Sequence, residues 1–245
     1  MGTSIVVTSG KGGTGKSSFT VGVASCLASM GKRVLCIDMD MGLRNLDLSM
    51  GLTDTALMDV ADVLEGRCAL EKAVTPHPII NTLYLLPAPV TVPPSPVSQD
   101  KMKALVKEAK TQFDYVLLDC PAGIGSGFRL ATCAADRAVV VCTTDPISLR
   151  AAESAVQLLH KGGKPIHLAV NRITKRFLRK TRTNIDDAMD ALGLPLIGII
   201  PEDPKVTLAA SKGAPVITCS NNGAARAYYN IAQRLLGKHI PPMRI

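Results

Sequence analysis

The chain has 245 residues, 47% of them hydrophobic, and a formal charge of +8 from 28 basic and 20 acidic side chains. That apolar content excludes a disordered chain, and the length suits one α/β domain over residues 1–245. Trp is absent and aromatics are 3%, so the core must be aliphatic and base stacking on aromatic platforms is disfavoured.

Residues 5–8 form a β-branched run that gives way to a glycine-rich turn. Residues 17–30 place Phe19, Val23, Leu27 and Met30 at helical spacing, with Gly31 as the stop. Residues 33–38 predict a second strand and 55–64 a short helix. Residues 83–86 predict a strand that runs into a surface loop containing Pro87, Pro89, Pro93, Pro94 and Pro96. Residues 99–111 predict a helix with lysines along one side. Further strands are expected at 115–119, 138–143, 166–171 and 196–201, and helices at 148–160, 184–192 and 224–236. Apolar strands alternating with helices predict a mostly parallel central sheet with helices on both faces, a three-layer α/β/α fold. Such sheets bind ligands at the carboxyl ends of their strands. The chemically loaded stretches, 10–17, 38–47, 119–123, Asn171 and 201–203, all end or follow a strand.

The run Gly10-Lys11-Gly12-Gly13-Thr14-Gly15-Lys16-Ser17 fits G-x-x-x-x-G-K-[ST] between a strand and a helix. Glycines let successive N–H groups turn toward phosphate oxygens, and the helix start adds its positive dipole end. Lys16 is expected at the terminal phosphates of ATP or ADP, and the Ser17 hydroxyl on Mg²⁺; Ser18 completes the cofactor-binding run. Asp38 and Asp40 end the second strand on the same side of an extended chain. A carboxylate there can accept a proton from the attacking water. Asp119 ends the apolar strand at 115–118 and is expected near Mg²⁺. Asn171 can both donate and accept, which suits an adenine edge. The GTPase signature Asn-Lys-x-Asp is absent, because Asn171 is followed by Arg172-Ile173-Thr174. ATP is therefore favoured.

The second lysine of the loop, Lys11, gives the Lys-Gly-Gly-x-Gly-Lys-[Ser/Thr] form, and the chain here resembles the deviant Walker A ATPases of the MinD/ParA family. The run Gly42-Leu43-Arg44-Asn45-Leu46-Asp47 is most similar to the first switch of the MinD branch, and Pro121-Ala122-Gly123 resembles the second switch. Similarity continues through 83–88, 198–203, 210–216 and 234–237. The resemblance implies a P-loop NTPase fold and an ATP-dependent homodimer in which Lys11 crosses to the partner's nucleotide. It further implies that Asp40 orients the attacking water, that Asp38 supports the metal shell, and that Asn45 is a secondary switch contact. Arg172, Pro201, Glu202 and Asp203 would flank the base. It implies slow, partner-stimulated hydrolysis in placing the division site, with division-regulator proteins as partners. The alternatives are a DNA-partitioning ATPase of the ParA type and a metal-cluster carrier of the iron-protein type. The last would need paired cysteines, with Cys120 and Cys133 the candidates near the switch.

The remaining features are plainer. The seven cysteines form no C-x-x-C pair and read as small hydrophobes in a reducing compartment. His77, His160, His167 and His239 form no ligand cluster. The N-terminus lacks the pattern of a secretory leader, and no apolar run approaches a membrane span. A cytoplasmic protein is expected, or one held peripherally at the inner face of the membrane. Residues 172–182 gather six basic side chains around Phe177 and Leu178, and the part from Lys175 to Arg182 is a candidate for contact with acidic lipid or, non-specifically, DNA. Pro241-Pro242 cannot sit inside the C-terminal amphipathic helix usual in the MinD branch. The helix after Thr144 is also shorter and less charged at its start than that branch's partner-binding region.

Overall fold

The computed structural model describes residues 1–42, 44–53, 55–91, 97–174 and 185–243. Its centre is an eight-stranded sheet. In chain order the strands are β1 (Thr3–Thr8), β2 (Val34–Asp38), β3 (Thr75–Pro76), β4 (Leu83–Leu86), β5 (Tyr115–Asp119), β6 (Arg137–Cys142), β7 (Ile166–Ile173) and β8 (Leu196–Pro201). Their spatial order is β3-β4-β2-β5-β1-β6-β7-β8, all parallel except the short edge strand β3. The central strands are buried along their length because both faces are covered. Side chains alternate between the faces. Val6, Leu35, Ile37 and Leu118 enter one core, and Ile5, Val7, Cys36 and Leu117 the other.

The helices are α1 (Lys16–Ser29), α2 (Asn45–Met50), α3 (Val60–Leu64), α4 (Leu70–Ala73), α5 (Gln99–Gln112), α6 (Ser126–Cys133), α7 (Pro146–His160), α8 (Ile185–Leu192), α9 (Pro204–Ser211) and α10 (Gly223–Leu235). α1 and α10 cover one face, where Phe19 meets Tyr228 edge-on at 6.2 Å between centroids. Gly22 permits that approach, since a Cβ there would run into the Tyr228 ring. α5, α6 and α7 cover the other face. The three-layer α/β/α arrangement expected from the strand pattern is therefore present.

Local differences have local causes. The helix expected at 55–64 is only α3, because Asp59 caps it: its Oδ1 accepts from the Ala61 and Asp62 amides at 2.8 and 3.1 Å. α7 starts two residues before the expected 148, since Asp145 caps the helix and Pro146 suits its first turn. The short α2, α4, α6 and α9 and strand β3 escaped the sequence reading; apart from α4, each of these helices lies beside a strand end or switch. The basic segment 175–182 and Pro93, Pro94 and Pro96 lie outside the described residues. Among the described residues no helix is long and apolar enough to cross a membrane.

Candidate functional site

β1 ends at Thr8 and α1 begins at Lys16, so the phosphate-loop motif spans the carboxyl end of the central strand. Gly13 and Gly15 take φ of 77° and 89°, conformations that disfavour any side chain. A Cβ on Gly10 would strike the Ala151 carbonyl of α7, and one on Gly15 the Asn171 amide. The loop is anchored through its carbonyls. Ser9 Oγ donates to the Lys11 carbonyl at 2.6 Å, and Asn171 Nδ2 to that of Thr14 at 2.8 Å. Arg172 Nη1 reaches the Gly13 carbonyl at 3.4 Å. The N–H groups of Lys11, Gly12, Gly13 and Gly15 have no acceptor among the described residues, while Gly12 and Gly13 form a turn. With the orphan amides of α1, they form a cradle for an anion.

Three polar side chains converge on Asp119 at the end of β5. Ser17 Oγ donates to its Oδ2 at 2.6 Å, and Thr20 Oγ1 to its Oδ1 at 2.7 Å. Asp38 sits beside it across the β2–β5 ladder. Both carboxylates are buried, Asp119 at 2% exposure and Asp38 at 1%. Asp38 Oδ1 accepts from the Asp40 amide at 2.9 Å and Oδ2 from the Leu46 amide at 3.2 Å, so it ties both ends of the 38–46 loop together. Burial raises the pKa of Asp38 to about 7, helped by the Asp119 charge. Burial likewise raises Asp119 to about 6, against the opposing pull of Ser17, Thr20 and Lys16. Two buried carboxylates with raised pKa beside a hydroxyl fit a divalent cation. Their small number suits Mg²⁺, which takes its other ligands from phosphates and water.

Ser17 lines a cleft of about 470 Å³, and its hydroxyl links that cleft to the buried Asp119. Lys16, Ser17, Ser18, Asp40 and Asn45 form one side, with Gly12, Gly13 and Gly15 at the floor. The other wall holds Asn171, Arg172, Pro201, Glu202 and Asp203. Lys16 is only 8% exposed. Burial pushes the Asp40 carboxyl up while the Lys16 charge pulls it down. Arg172 takes a left-handed φ of 58°, costly for a residue with a Cβ. The turn aims its guanidinium at Glu202, with Nε 2.7 Å from Oε2. Asp203 caps α9 through the Lys205 amide at 3.0 Å and also accepts from the Ala224 amide at the start of α10 at 3.1 Å.

The sequence matches the AAA domain family over residues 2–167. It is 41% identical over 245 residues to the septum site-determining protein MinD of Bacillus subtilis, covering 98% of this chain and 91% of that protein. The chain belongs to the MinD family. The fold matches that of the MinC:MinD cell division protein complex of Aquifex aeolicus with a TM-score of 0.91, at 38% identity and covering 99% of this chain and 98% of that one. It also matches MinD of Pyrococcus horikoshii, solved with Mg-ADP, with a TM-score of 0.85 at 29% identity and 96% coverage of both chains. The protein is thus a MinD-like ATPase of division-site placement on a P-loop NTPase fold.

Within this family site, the sequence-derived residues divide by position. Gly12, Gly13, Gly15, Lys16, Ser17, Ser18, Asp40 and the wall from Asn171 to Asp203 share the cleft. Gly10 and Thr14 shape the loop from outside it. Lys11 turns away to a neighbouring cleft of about 480 Å³, its Nζ 3.7 Å from Asp145 Oδ1. Asn171, expected at a base edge, spends one amide hydrogen on the loop itself. Missed by sequence reading were Thr20, Val206, Thr207 and Tyr228. Thr20 was readable, since it lies one helical turn after Ser17 and shares its face. Cys120 is 1% exposed, with its thiol pushed up to about 12 by burial, which opposes thiolate ligation. The Cys133 thiol donates to the Leu130 carbonyl at 3.1 Å in its own helix.

Proposed function

We propose that the protein is an ATP-driven dimer switch, in which two subunits close over two nucleotides and part after hydrolysis. The observation that carries this is the set of free N–H groups of Gly12, Gly13 and Gly15, which share one cleft with Lys16 and with Ser17, whose hydroxyl donates to Asp119. The loop amides and Lys16 bind the phosphates. Ser17 and Asp119 would hold Mg²⁺, with Asp38 behind them tying the 38–46 loop. When bound, Mg²⁺ draws negative charge from the phosphate oxygens and so eases loss of the γ-phosphate. Asp40, with its raised proton affinity, accepts from the attacking water. The base lies along Arg172 and residues 201–203, and Asn171 keeps the loop in place beneath it.

Lys11 does not line the nucleotide cleft and its side chain is 43% exposed, which supports its role across the dimer interface. Hydrolysis is therefore slow in the monomer and waits on dimerisation and on a stimulating partner. The Aquifex complex supports a division regulator of the MinC kind as one partner. The working place is the cytoplasm or the inner face of the membrane. The test is turnover as a function of protein concentration at saturating ATP. Turnover per subunit should rise with concentration and then level off. Constant turnover per subunit down to nanomolar protein contradicts the switch.

A further inference from the structure

At the pole of the sheet opposite the phosphate loop lies a larger cleft, of about 840 Å³. It opens where β1, β5 and β6 begin, and their first residues, Thr3, Tyr115 and Arg137, all line it. Five basic side chains border it: Lys32, Arg33, Lys110, Arg137 and Arg234. Among the described residues the only carboxylate in its lining is Asp114, whose Oδ2 accepts from the Arg33 amide at 2.8 Å. Lys110 is neutralised by Asp136, at 2.6 Å. The other four cationic side chains have no carboxylate partner among the described residues.

Two of the four are also fixed in place. Arg33 lies over Tyr84 and Phe113, with Cζ 5.7 and 5.3 Å from the ring centroids. Arg234 Nε donates to the Ile240 carbonyl at 2.9 Å, and its Nη1 to the Ile197 carbonyl. Neither contact cancels charge. Like charges gathered around one concavity repel, and their field concentrates anions there. Guanidiniums already held by rings and carbonyls lose little freedom when an anion arrives, and their forked donors match phosphate oxygens.

We propose that this cleft is a second anion site, which takes a phosphate-bearing ligand independently of the nucleotide at the other pole. The chemistry recognised is a phosphodiester or polyphosphate group, from a lipid headgroup or a soluble polyphosphate.

The test uses the full chain saturated with Mg-ADP, so that the phosphate loop is filled. The variant is Lys32→Gln with Arg137→Gln; neither side chain makes a hydrogen bond or ion pair among the described residues, and neither lines the nucleotide cleft. One arm measures sedimentation with vesicles of equal parts phosphatidylglycerol and phosphatidylcholine. The other titrates inositol hexakisphosphate by calorimetry in excess Mg-ADP. The double variant should bind about thirty-fold more weakly, roughly fivefold for each basic residue removed near a phosphate surface. A loss confined to vesicles assigns the lipid headgroup, and a loss with inositol hexakisphosphate the soluble polyphosphate; each supports the site. Equal binding by both proteins in both arms, or no binding by the unaltered protein in either, overturns it. Unchanged ATP turnover reports that the variant is folded; if turnover falls, Arg137→Gln alone is judged by the same two arms.

Discussion

Four side chains carry most of the proposed chemistry: Lys11 and Asp40 can each be tested alone, and Asp38 and Asp119 as a pair. Lys11→Ala should abolish ATP-dependent dimerisation while leaving nucleotide binding within about tenfold, because Lys11 does not line its own cleft. Normal dimerisation of that variant, seen by light scattering, would remove the trans role. Asp40→Ala should lower turnover by at least about 100-fold, the usual share of a general base, and trap the ATP-bound dimer. Undiminished phosphate release would take Asp40 out of the mechanism. The buried pair Asp38 and Asp119 makes a prediction about pH. Their folded pKa values, about 7 and about 6, lie above the ordinary carboxylate value of 3.8. The native state therefore holds protons that the unfolded chain has already released, so their effect favours folding at the acid end and is lost as pH rises through those values. In EDTA, the urea midpoint of the unaltered protein should fall between pH 5.5 and 8 relative to that of Asp38→Asn, which keeps His77 and His167, whose lowered pKa values act the other way. With Mg-ADP bound, that relative fall should shrink, because the cation offsets both charges. The same pH profile in both proteins contradicts the assignment.

At the scale of elements, the phosphate loop is held from outside by β7 and by the caps of neighbouring helices. Asn171→Ala leaves the Thr14 carbonyl without its donor, a loss of about 1–3 kcal/mol for a buried group. ATP affinity should drop by roughly tenfold or more on that scale, whereas binding equal to that of the unaltered protein would limit Asn171 to the base. Asp203→Ala removes a cap shared by α9 and α10 and should cost about 1–2 kcal/mol. For a chain of this length that is a fall in Tm of roughly 4 °C, read by calorimetry. The element order was legible because parallel strands buried on both faces are continuous apolar runs. The phosphate loop and Asp119 were legible because their spacing has one physical purpose. What escaped was short or set by tertiary context. α2 and α9 are too brief for a helical period to register, whereas α1 was legible although it is buried on nearly every side. The hold of Asn171 on the phosphate loop, and the stapling of the 38–46 loop by Asp38, depend on contacts between distant segments that no local pattern encodes.

On the scale of the whole molecule, the two ends of the sheet have different characters. The strand carboxyl ends gather the buried carboxylates, the free amides and Lys16. The strand starts gather the unpartnered basic side chains. The sequence reading placed the positive excess in residues 172–182. That segment lies mostly outside the described residues; among the described residues a further basic grouping lies at the opposite pole, assembled from the N-terminal ends of strands and the C-terminal ends of helices that lie far apart in the chain. A face-to-face dimer joined at the phosphate loops would leave both basic poles outward, so nucleotide state and anion binding are separable by experiment.

The central claim is that ATP, and not ADP, joins two subunits. The most direct measurement is the molar mass in solution, by light scattering coupled to gel filtration, of Asp40→Ala with Mg-ATP and with Mg-ADP. The account predicts twice the mass of the 25.8 kDa chain with ATP and the single-chain mass with ADP. The same mass with both nucleotides, whether monomer or dimer, contradicts it.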